Sequence, residues 1–141
     1  MELSDITTPA LAYLGDSVLE VCVRTYLVAE RGLSTSAHLN RASLDFVRAA
    51  AQSEAMGRIE PCLTEAEAAV YRRGRNMGHG NVPKSASVAE YRRATGMEVL
   101  FGYLSLTGQS ERMDYLFRVG YGLISLEGTE TQYSTIGESS T

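Results

Sequence analysis

The sequence predicts an all-α fold, and two observations support that prediction. Apolar residues recur at spacings of three and four, as on the buried face of a helix, and no segment sustains the alternation of a strand. Thr64 with Glu67, and Ser87 with Glu90, have the spacing of capping boxes and mark two helix starts. At 141 residues, 44% hydrophobic and 21% charged, the chain has the size and composition of one globular domain.

The longest apolar segment predicts a first helix over residues 9–30, with Thr8 as its N-cap and Pro9 in its first turn. Asp16 lies within it, on a face that is also apolar. A carboxylate in such surroundings needs a hydrogen bond, a cation or a metal ion, since desolvating an unpaired charge is costly. The stripe expected to face the core consists of Leu11, Leu14, Val18, Cys22 and Tyr26.

Turn residues and capping boxes divide the rest of the chain. Gly32 is expected to end the first helix. A loop rich in Gly, Asn and Pro is expected to be mobile over residues 76–85, and an acidic tail rich in Ser and Thr is expected to be disordered over residues 127–141. The domain proper is then residues 1–126. The turn-like residues 34–36 supply candidate caps for a short helix through His38 and Asn40. Longer helices are predicted over residues 43–58, 64–75, 87–107 and 110–124.

Acidic and basic residues are concentrated in different segments of the chain. The net charge is −4, and the tail from Glu127 onward contributes three acids and no basic residue. Between residues 72 and 93 there are six basic residues against the single acid Glu90. Such a local excess in an otherwise acidic chain favours a polyanionic partner such as a nucleic acid. The six are Arg72, Arg73, Arg75, Lys84, Arg92 and Arg93.

Several classes of function lack support in the sequence. No apolar run is long enough to span a membrane and no basic signal segment opens the chain, so we expect a cytoplasmic protein with no membrane partner. Cys22 and Cys62 are expected to be reduced thiols, with Cys22 in the core. The sequence has no phosphate-binding loop and no zinc-type spacing of Cys and His; His38 and His79 are isolated.

Glu98 is the second acid in apolar surroundings, among Met97, Val99 and Leu100. If it faces Asp16, the two carboxylates form a site for a hard divalent cation suited to phosphoryl chemistry. The alternative is a buried salt bridge from either acid to an arginine such as Arg92 or Arg24, and composition alone leaves both open.

Residues 11–20, Leu-Ala-Tyr-Leu-Gly-Asp-Ser-Val-Leu-Glu, resemble the signature helix of the ribonuclease III catalytic domain. Further blocks at 46–53, 71–76, 91–102 and 102–108 follow in order and resemble the bacterial mini-ribonuclease III branch of that family. The resemblance covers residues 8–120. We expect no double-stranded-RNA-binding domain after the catalytic one, which is a mark of this branch.

The resemblance implies an α-helical endonuclease that hydrolyses double-stranded RNA with Mg²⁺ and leaves 5′-phosphates. The implied substrate is the precursor of large-subunit (23S) ribosomal RNA, with a ribosomal protein as a potential helper. Asp16 and Glu98 match the catalytic, metal-binding carboxylates, and Tyr13 matches a position near the two-fold contact of a homodimer. Two further acids of the wider family are replaced by Ala12 and Thr95, as in the mini branch.

With duplex RNA as the implied partner, we expect the basic residues beside the loop to bind it, because phosphates dominate contacts to A-form RNA. These residues are Arg72, Arg73, Arg75 and Lys84. A competing hypothesis is a catalytically weak RNA-binding or ribosome-assembly module on the same fold, which Ala12 and Thr95 favour. A third is an all-α interaction protein without nucleic acid, which the basic segment disfavours.

Overall fold

A computed structural model describes residues 2–78 and 86–124, together with Val82 and Lys84 between them. Within these residues there are six α-helices and no strand, which confirms the all-α prediction. A π-helical turn, Tyr26–Glu30, extends the first helix, and short 3₁₀ turns cover Leu3–Asp5 and Glu60–Cys62. The helices are α1 (Thr8–Thr25), α2 (Ser36–Val47), α3 (Ala49–Ile59), α4 (Glu65–Arg75), α5 (Val88–Leu106) and α6 (Ser110–Gly120).

Helix α5 lies at the centre of the domain and packs against α1, α3, α4 and α6. Its residues from Ala94 to Gly102 are buried, with the single exception of Glu98, which is half-buried. A helix that is apolar on nearly every side is stable in water only when neighbours cover it all round. The position of α5 therefore follows from its sequence, and Glu98 is its one acid at that depth.

The buried stripe of α1 differs from the predicted one. It runs through Leu11, Gly15, Leu19, Val23 and Leu27, whereas Leu14, Val18, Cys22 and Tyr26 are only partly buried. The stripe lies one residue further along because Gly15 lets α1 press directly onto α5.

Asp16 and the N-cap also differ from the prediction. Asp16, one residue beyond that stripe, is solvent-exposed, so its predicted apolar surroundings are wrong. The N-cap is Thr7 rather than Thr8, since the Thr7 side chain accepts a hydrogen bond from the Ala10 amide.

The predicted single helix over residues 43–58 is wrong. The chain is extended at Arg48 (φ −66°, ψ 147°), so α2 ends at Val47 and α3 begins at Ala49. Helix α2 joins the predicted short helix to the first part of the predicted longer one, and Thr35, within the turn expected to supply the cap, accepts a hydrogen bond from the His38 amide.

The other helix ends follow their sequence signals more closely. Both capping boxes are formed, and α4 and α5 end within a residue of the predicted positions. Gly108 (φ +69°) follows α5 in the left-handed conformation, as Gly32 (φ +65°) does after the first helix. Helix α6 ends at Gly120, short of the predicted 124. The tail predicted over 127–141 and His79 within the predicted loop lie outside the described residues.

None of the helices in the described ranges is long and apolar enough to cross a membrane.

Candidate active site

Two glycines bring α1 and α5 into backbone contact. A Cβ atom added to Gly15 would lie 1.6 Å from the Glu98 carbonyl oxygen, and one added to Gly102 would lie 2.2 Å from the Leu11 carbonyl oxygen. Neither position has room for a side chain of any size, because real Cβ atoms do not approach other heavy atoms within 3.0 Å. The two helices therefore approach closely along this stretch, and Asp16, next to Gly15, stands beside Glu98.

The side chains of Asp16 and Glu98 lie close enough to interact directly. Burial, and then the hydrogen bond and negative charge of Asp16, raise the pKa of Glu98 to about 8. A proton on Glu98 is therefore favoured up to this pKa, and at that distance it can be shared with Asp16. The structure thus brings together the two acids that the sequence singled out.

The alternative of a salt bridge is not found at this pair. Among the described residues, no Lys or Arg side chain lies within ion-pair distance of Asp16 or Glu98. Arg24 instead pairs with Glu20, one turn before it on α1, at 2.7 Å. A carboxylate pair that no cation neutralises is an arrangement in which a divalent metal ion can replace the shared proton.

The fully buried carboxylate that does have an arginine partner is Glu67, which the sequence identified only as a capping residue. Arg112 on α6 donates from Nε to Oε2 and from Nη2 to Oε1 of Glu67, both at 2.9 Å, and also donates to the Cys62 carbonyl. These bonds lower the pKa of Glu67. The pair joins α4 to α6, and no local sequence pattern indicates it.

The two positions at which the wider family carries further acids add no carboxylate here. Ala12 packs beside a small cluster of Leu11, Val70 and Val99. Thr95 is buried, and its hydroxyl donates to the Tyr91 carbonyl at 3.0 Å. In the part of the chain that the structure describes, no group of three or more acidic, His or Cys side chains could hold a metal ion.

The donor set at the α1–α5 contact is therefore two carboxylates. This set fits Mg²⁺, which commonly uses one or two protein carboxylates and completes its octahedron with water and substrate phosphate oxygens. The exposure of Asp16 leaves the open side of the pair accessible to solvent and to a large substrate.

The four basic residues expected to bind RNA differ in what they contact. Arg72 and Lys84 are exposed. Arg73 donates from Nη2 to the Thr8 hydroxyl at 3.0 Å, and so ties the end of α4 to the start of α1. The guanidinium of Arg75 lies 5.7 Å from the centroid of the Tyr71 ring.

Helix α1 also carries exposed apolar side chains. Tyr13 is 83% exposed and Val21 is 64% exposed, and Val28 in the π-helical turn is 56% exposed. Their spacings of eight and seven residues place them on one side of the helix. Cys22 is partly buried next to this side, and burial raises the pKa of its thiol to about 11, so it is a packing residue rather than a nucleophile.

An all-α domain with two neighbouring carboxylates, neither of them in an ion pair with a Lys or Arg that the structure describes, has the features of a metal-assisted hydrolase acting on a phosphate ester. Comparison with known proteins narrows that class. The Ribonuclease III domain model matches residues 9–109. The chain is 47% identical over 115 residues to the Mini-ribonuclease 3 of Symbiobacterium thermophilum, covering 81% of this chain and 87% of the relative. It is 37% identical over 124 residues to the Mini-ribonuclease 3 of Brevibacillus brevis, covering 87% and 92%.

Among solved structures, a crystal structure of a protein from Fusobacterium nucleatum superposes with a TM-score of 0.74 at 27% identity, covering 82% of this chain and 91% of that one. Together these matches show that the chain belongs to the ribonuclease III family, in its mini-ribonuclease III branch, and that it is an endoribonuclease.

Proposed function

We propose that this protein is a Mg²⁺-dependent endonuclease of double-stranded RNA, with Asp16 and Glu98 as its catalytic carboxylates. The observation that carries the proposal is their proximity across the α1–α5 interface, where the pKa of Glu98 is raised and no described basic side chain forms an ion pair with either acid. Family membership supports the type of reaction, hydrolysis of a phosphodiester with a 5′-phosphate on one product.

Each carboxylate has a distinct part in this mechanism. Glu98 lies on the central helix α5, and its side chain is half-buried. Asp16 is exposed on the neighbouring helix and faces the substrate side. Asp16 and Glu98 would hold Mg²⁺, which would supply polarisation of the scissile phosphate and a lower pKa for an attacking water. Because the pKa of Glu98 is raised, loss of its proton would have to accompany metal binding.

Substrate binding is assigned to the basic residues at the end of α4 and beside the following loop. Arg72 and Lys84 are exposed and have no described ion-pair partner, so they are available to phosphate oxygens. Arg73 and Arg75 complete the proposed set, although each also contacts the protein itself. Contacts to phosphates rather than bases suit A-form RNA, whose deep major groove hides its base edges.

We further propose a homodimer in which the exposed side of α1, centred on Tyr13, meets its symmetry mate. Large apolar side chains exposed along one helix are commonly an interface, and a self-complementary contact is the usual form in dimers. A dimer would place one Asp16–Glu98 pair on each strand of an RNA duplex.

The proposed biological substrate is the precursor of 23S ribosomal RNA in the cytoplasm, with a ribosomal protein as a potential helper. Support for this assignment comes from the resemblance to the mini-ribonuclease III branch and from the relatives of that name. A second candidate function is a catalytically weak RNA-binding or ribosome-assembly module, favoured by the absence of further acids at Ala12 and Thr95.

One experiment separates these functions. The purified chain is incubated with a long RNA duplex and, separately, with single-stranded RNA of the same sequence. Each reaction is run once with Mg²⁺ and once with EDTA. The nuclease predicts discrete fragments with 5′-phosphates from the duplex in Mg²⁺ alone. Duplex binding without fragments at any Mg²⁺ concentration would support the binding module instead, and binding to neither RNA would contradict both.

A further inference from the structure

A second charged feature lies at the end of the domain where α4 stops and α5 starts. A cleft of about 410 Å³ opens between the two helices there. Among its described lining residues three are arginines and none is acidic; they are Arg75, Asn76, Val88, Ala89, Arg92 and Arg93. Arg92 and Arg93 have no role in the carboxylate site and are not among the residues assigned to the RNA above.

The three guanidinium groups are not neutralised by neighbouring acids. Within the described ranges, none of them forms an ion pair. The nearest acid along the chain, Glu90, accepts from the Ser87 amide and is occupied in capping α5. Clustered cations that repel one another at the mouth of a cleft are stabilised by a bound anion.

The cleft is also partly preorganised. Arg75 is held over the ring of Tyr71 and donates from Nε to the Asn76 side-chain oxygen at 3.3 Å. The Arg93 guanidinium reaches toward α3, 3.8 Å from the position of a Cβ atom on Gly57. Both arginines lie near enough to the Tyr71 hydroxyl to lower its pKa, against a larger increase from burial. Val88 and Ala89 add the positive end of the α5 dipole.

We infer that this cleft binds a phosphate of the RNA backbone other than the one that is cut. The inference rests on the proposed function, because it takes duplex RNA as the ligand. Guanidinium groups bind phosphate through paired hydrogen bonds, and the open mouth of the cleft, with Arg92 and Arg93 exposed, suits a phosphate within a polymer.

The position of the cleft on α5 explains why it takes a different phosphate. Arg92 precedes Glu98 by six residues, which is about 9 Å along the helix axis and about 120° around it. A phosphate in the cleft is therefore expected to be a different one from the phosphate at the carboxylate pair. The two sites share α5, with α4 completing the cleft and α1 completing the carboxylate pair, so the packing of these helices sets the spacing between the two bound phosphates.

The test compares Arg92→Ala/Arg93→Ala with a control that removes the same charge elsewhere. Arg31→Ala/Arg41→Ala is suitable, because both residues are exposed and lie away from the cleft. Duplex affinity is measured in EDTA over a series of salt concentrations. The cleft variant is expected to lose about tenfold or more in affinity and up to about two units of slope in log affinity against log salt, beyond any change in the control. Its single-turnover cleavage rate at saturating protein should remain within about twofold of wild type.

Phosphate scanning makes the test specific. Duplexes with one uncharged methylphosphonate at successive positions should reveal a position that weakens wild-type binding but not binding by the cleft variant. Equal losses in the cleft and control variants would overturn the inference. ATP binding is measured for the same variants. If the cleft variant lost affinity for ATP but kept its affinity for duplex RNA, the cleft would be a site for a free nucleotide, which would also overturn the inference. If the wild-type protein binds and cuts the duplex, either of these two results leaves the proposed nuclease function intact. If the wild-type protein does not bind the duplex, the proposed function and the inference about the cleft both fail.

Discussion

Gly15 of α1 and Glu98 of α5 touch through backbone atoms, with no space between them for a methyl group. The contact sets the distance between the two helices at the level of the carboxylate pair. A glycine at this position therefore serves the site next to it, because any larger residue must push Asp16 away from Glu98.

Replacing Gly15 by alanine should consequently lower the cleavage rate by more than the loss of folding stability accounts for. A suitable control is Gly74→Ala, whose added Cβ would lie 2.7 Å from Val99 Cγ2 at the α4–α5 contact and meets neither Asp16 nor Glu98 among its nearest atoms. Because Arg73 and Arg75 flank Gly74, cleavage is compared at saturating protein. Overpacking typically costs about 1–3 kcal/mol, and Gly15→Ala should cost more than Gly74→Ala because its added Cβ meets a backbone oxygen at 1.6 Å. At a temperature where both are folded by circular dichroism, we expect Gly15→Ala to cut more than about tenfold slower and to need more Mg²⁺, with Gly74→Ala near wild type. Equal activity in the two variants would show that the helix spacing does not set the site.

Asp16→Asn and Glu98→Gln should each abolish Mg²⁺-dependent cleavage while preserving the fold and duplex binding. The substitutions keep the size of the side chains and remove only the charge that a cation needs. The double variant should lose little more than either single one, because the two groups act as a unit. Single-turnover assays with circular dichroism and a binding measurement check this. Cleavage close to wild type in either single variant would place the active site elsewhere.

The shared proton predicts an unusual pH dependence of stability in the absence of divalent metal. The pKa of Glu98 is raised from 4.5 to about 8 in the folded protein, so between these values the folded state binds a proton that the unfolded state lacks. Its contribution to stability is therefore present in full at low pH and is lost as the pH rises through about 8. Chemical unfolding in EDTA from pH 5 to pH 9 should show this fall in wild type and a flatter profile in Glu98→Gln. Identical profiles in the two proteins would contradict the shared proton.

The sequence predicted correctly those features of the fold that depend on interactions between residues close together in the chain. Thr64 and Ser87 mark their helix starts because a cap involves only residues within one turn. The break at Arg48 has no such signal, since neither glycine nor proline stands there, and it results from the packing of α2 and α3 against different neighbours. The buried stripe of α1 was displaced by one residue for a similar reason: its register depends on the α5 backbone.

In the candidate site, too, some features could be predicted from nearby residues and others depend on tertiary contacts. Asp16 and Glu98 stood out in the sequence as acids in apolar segments, and the resemblance of residues 11–20 to the ribonuclease III signature helix placed them in one site. Glu67 did not stand out as a buried acid, because Arg112 lies 45 residues further along the chain. Pairings at that separation follow from tertiary structure.

Arg73 should differ from Arg72 when each is changed to alanine. Arg73 bonds to the Thr8 hydroxyl and to the Ile6 carbonyl, whereas Arg72 is exposed, without a described hydrogen bond. Arg73→Ala should therefore lower the free energy of unfolding by about 1 kcal/mol as well as weakening duplex binding. Arg72→Ala should weaken binding alone and reduce the salt slope by about one unit. Thermal unfolding and salt-dependent binding measure the two effects, and a stability loss in Arg72→Ala equal to that in Arg73→Ala would refute the distinction.

The exposed side of α1 predicts that the protein sediments as a dimer. Tyr13 is 83% exposed in the single chain, and in a two-fold contact the substitution Tyr13→Ala removes two aromatic rings from one interface. Since buried aromatic residues dominate the energy of such contacts, the dimer dissociation constant should rise by at least about tenfold. Leu106→Ala is the matched control, because Leu106 is also an exposed apolar residue, 50% exposed, at the far end of α5. Sedimentation velocity over a range of protein concentrations measures both. A wild-type monomer at the concentrations used for cleavage would exclude the dimer, and with it the idea that two subunits cut the two strands together.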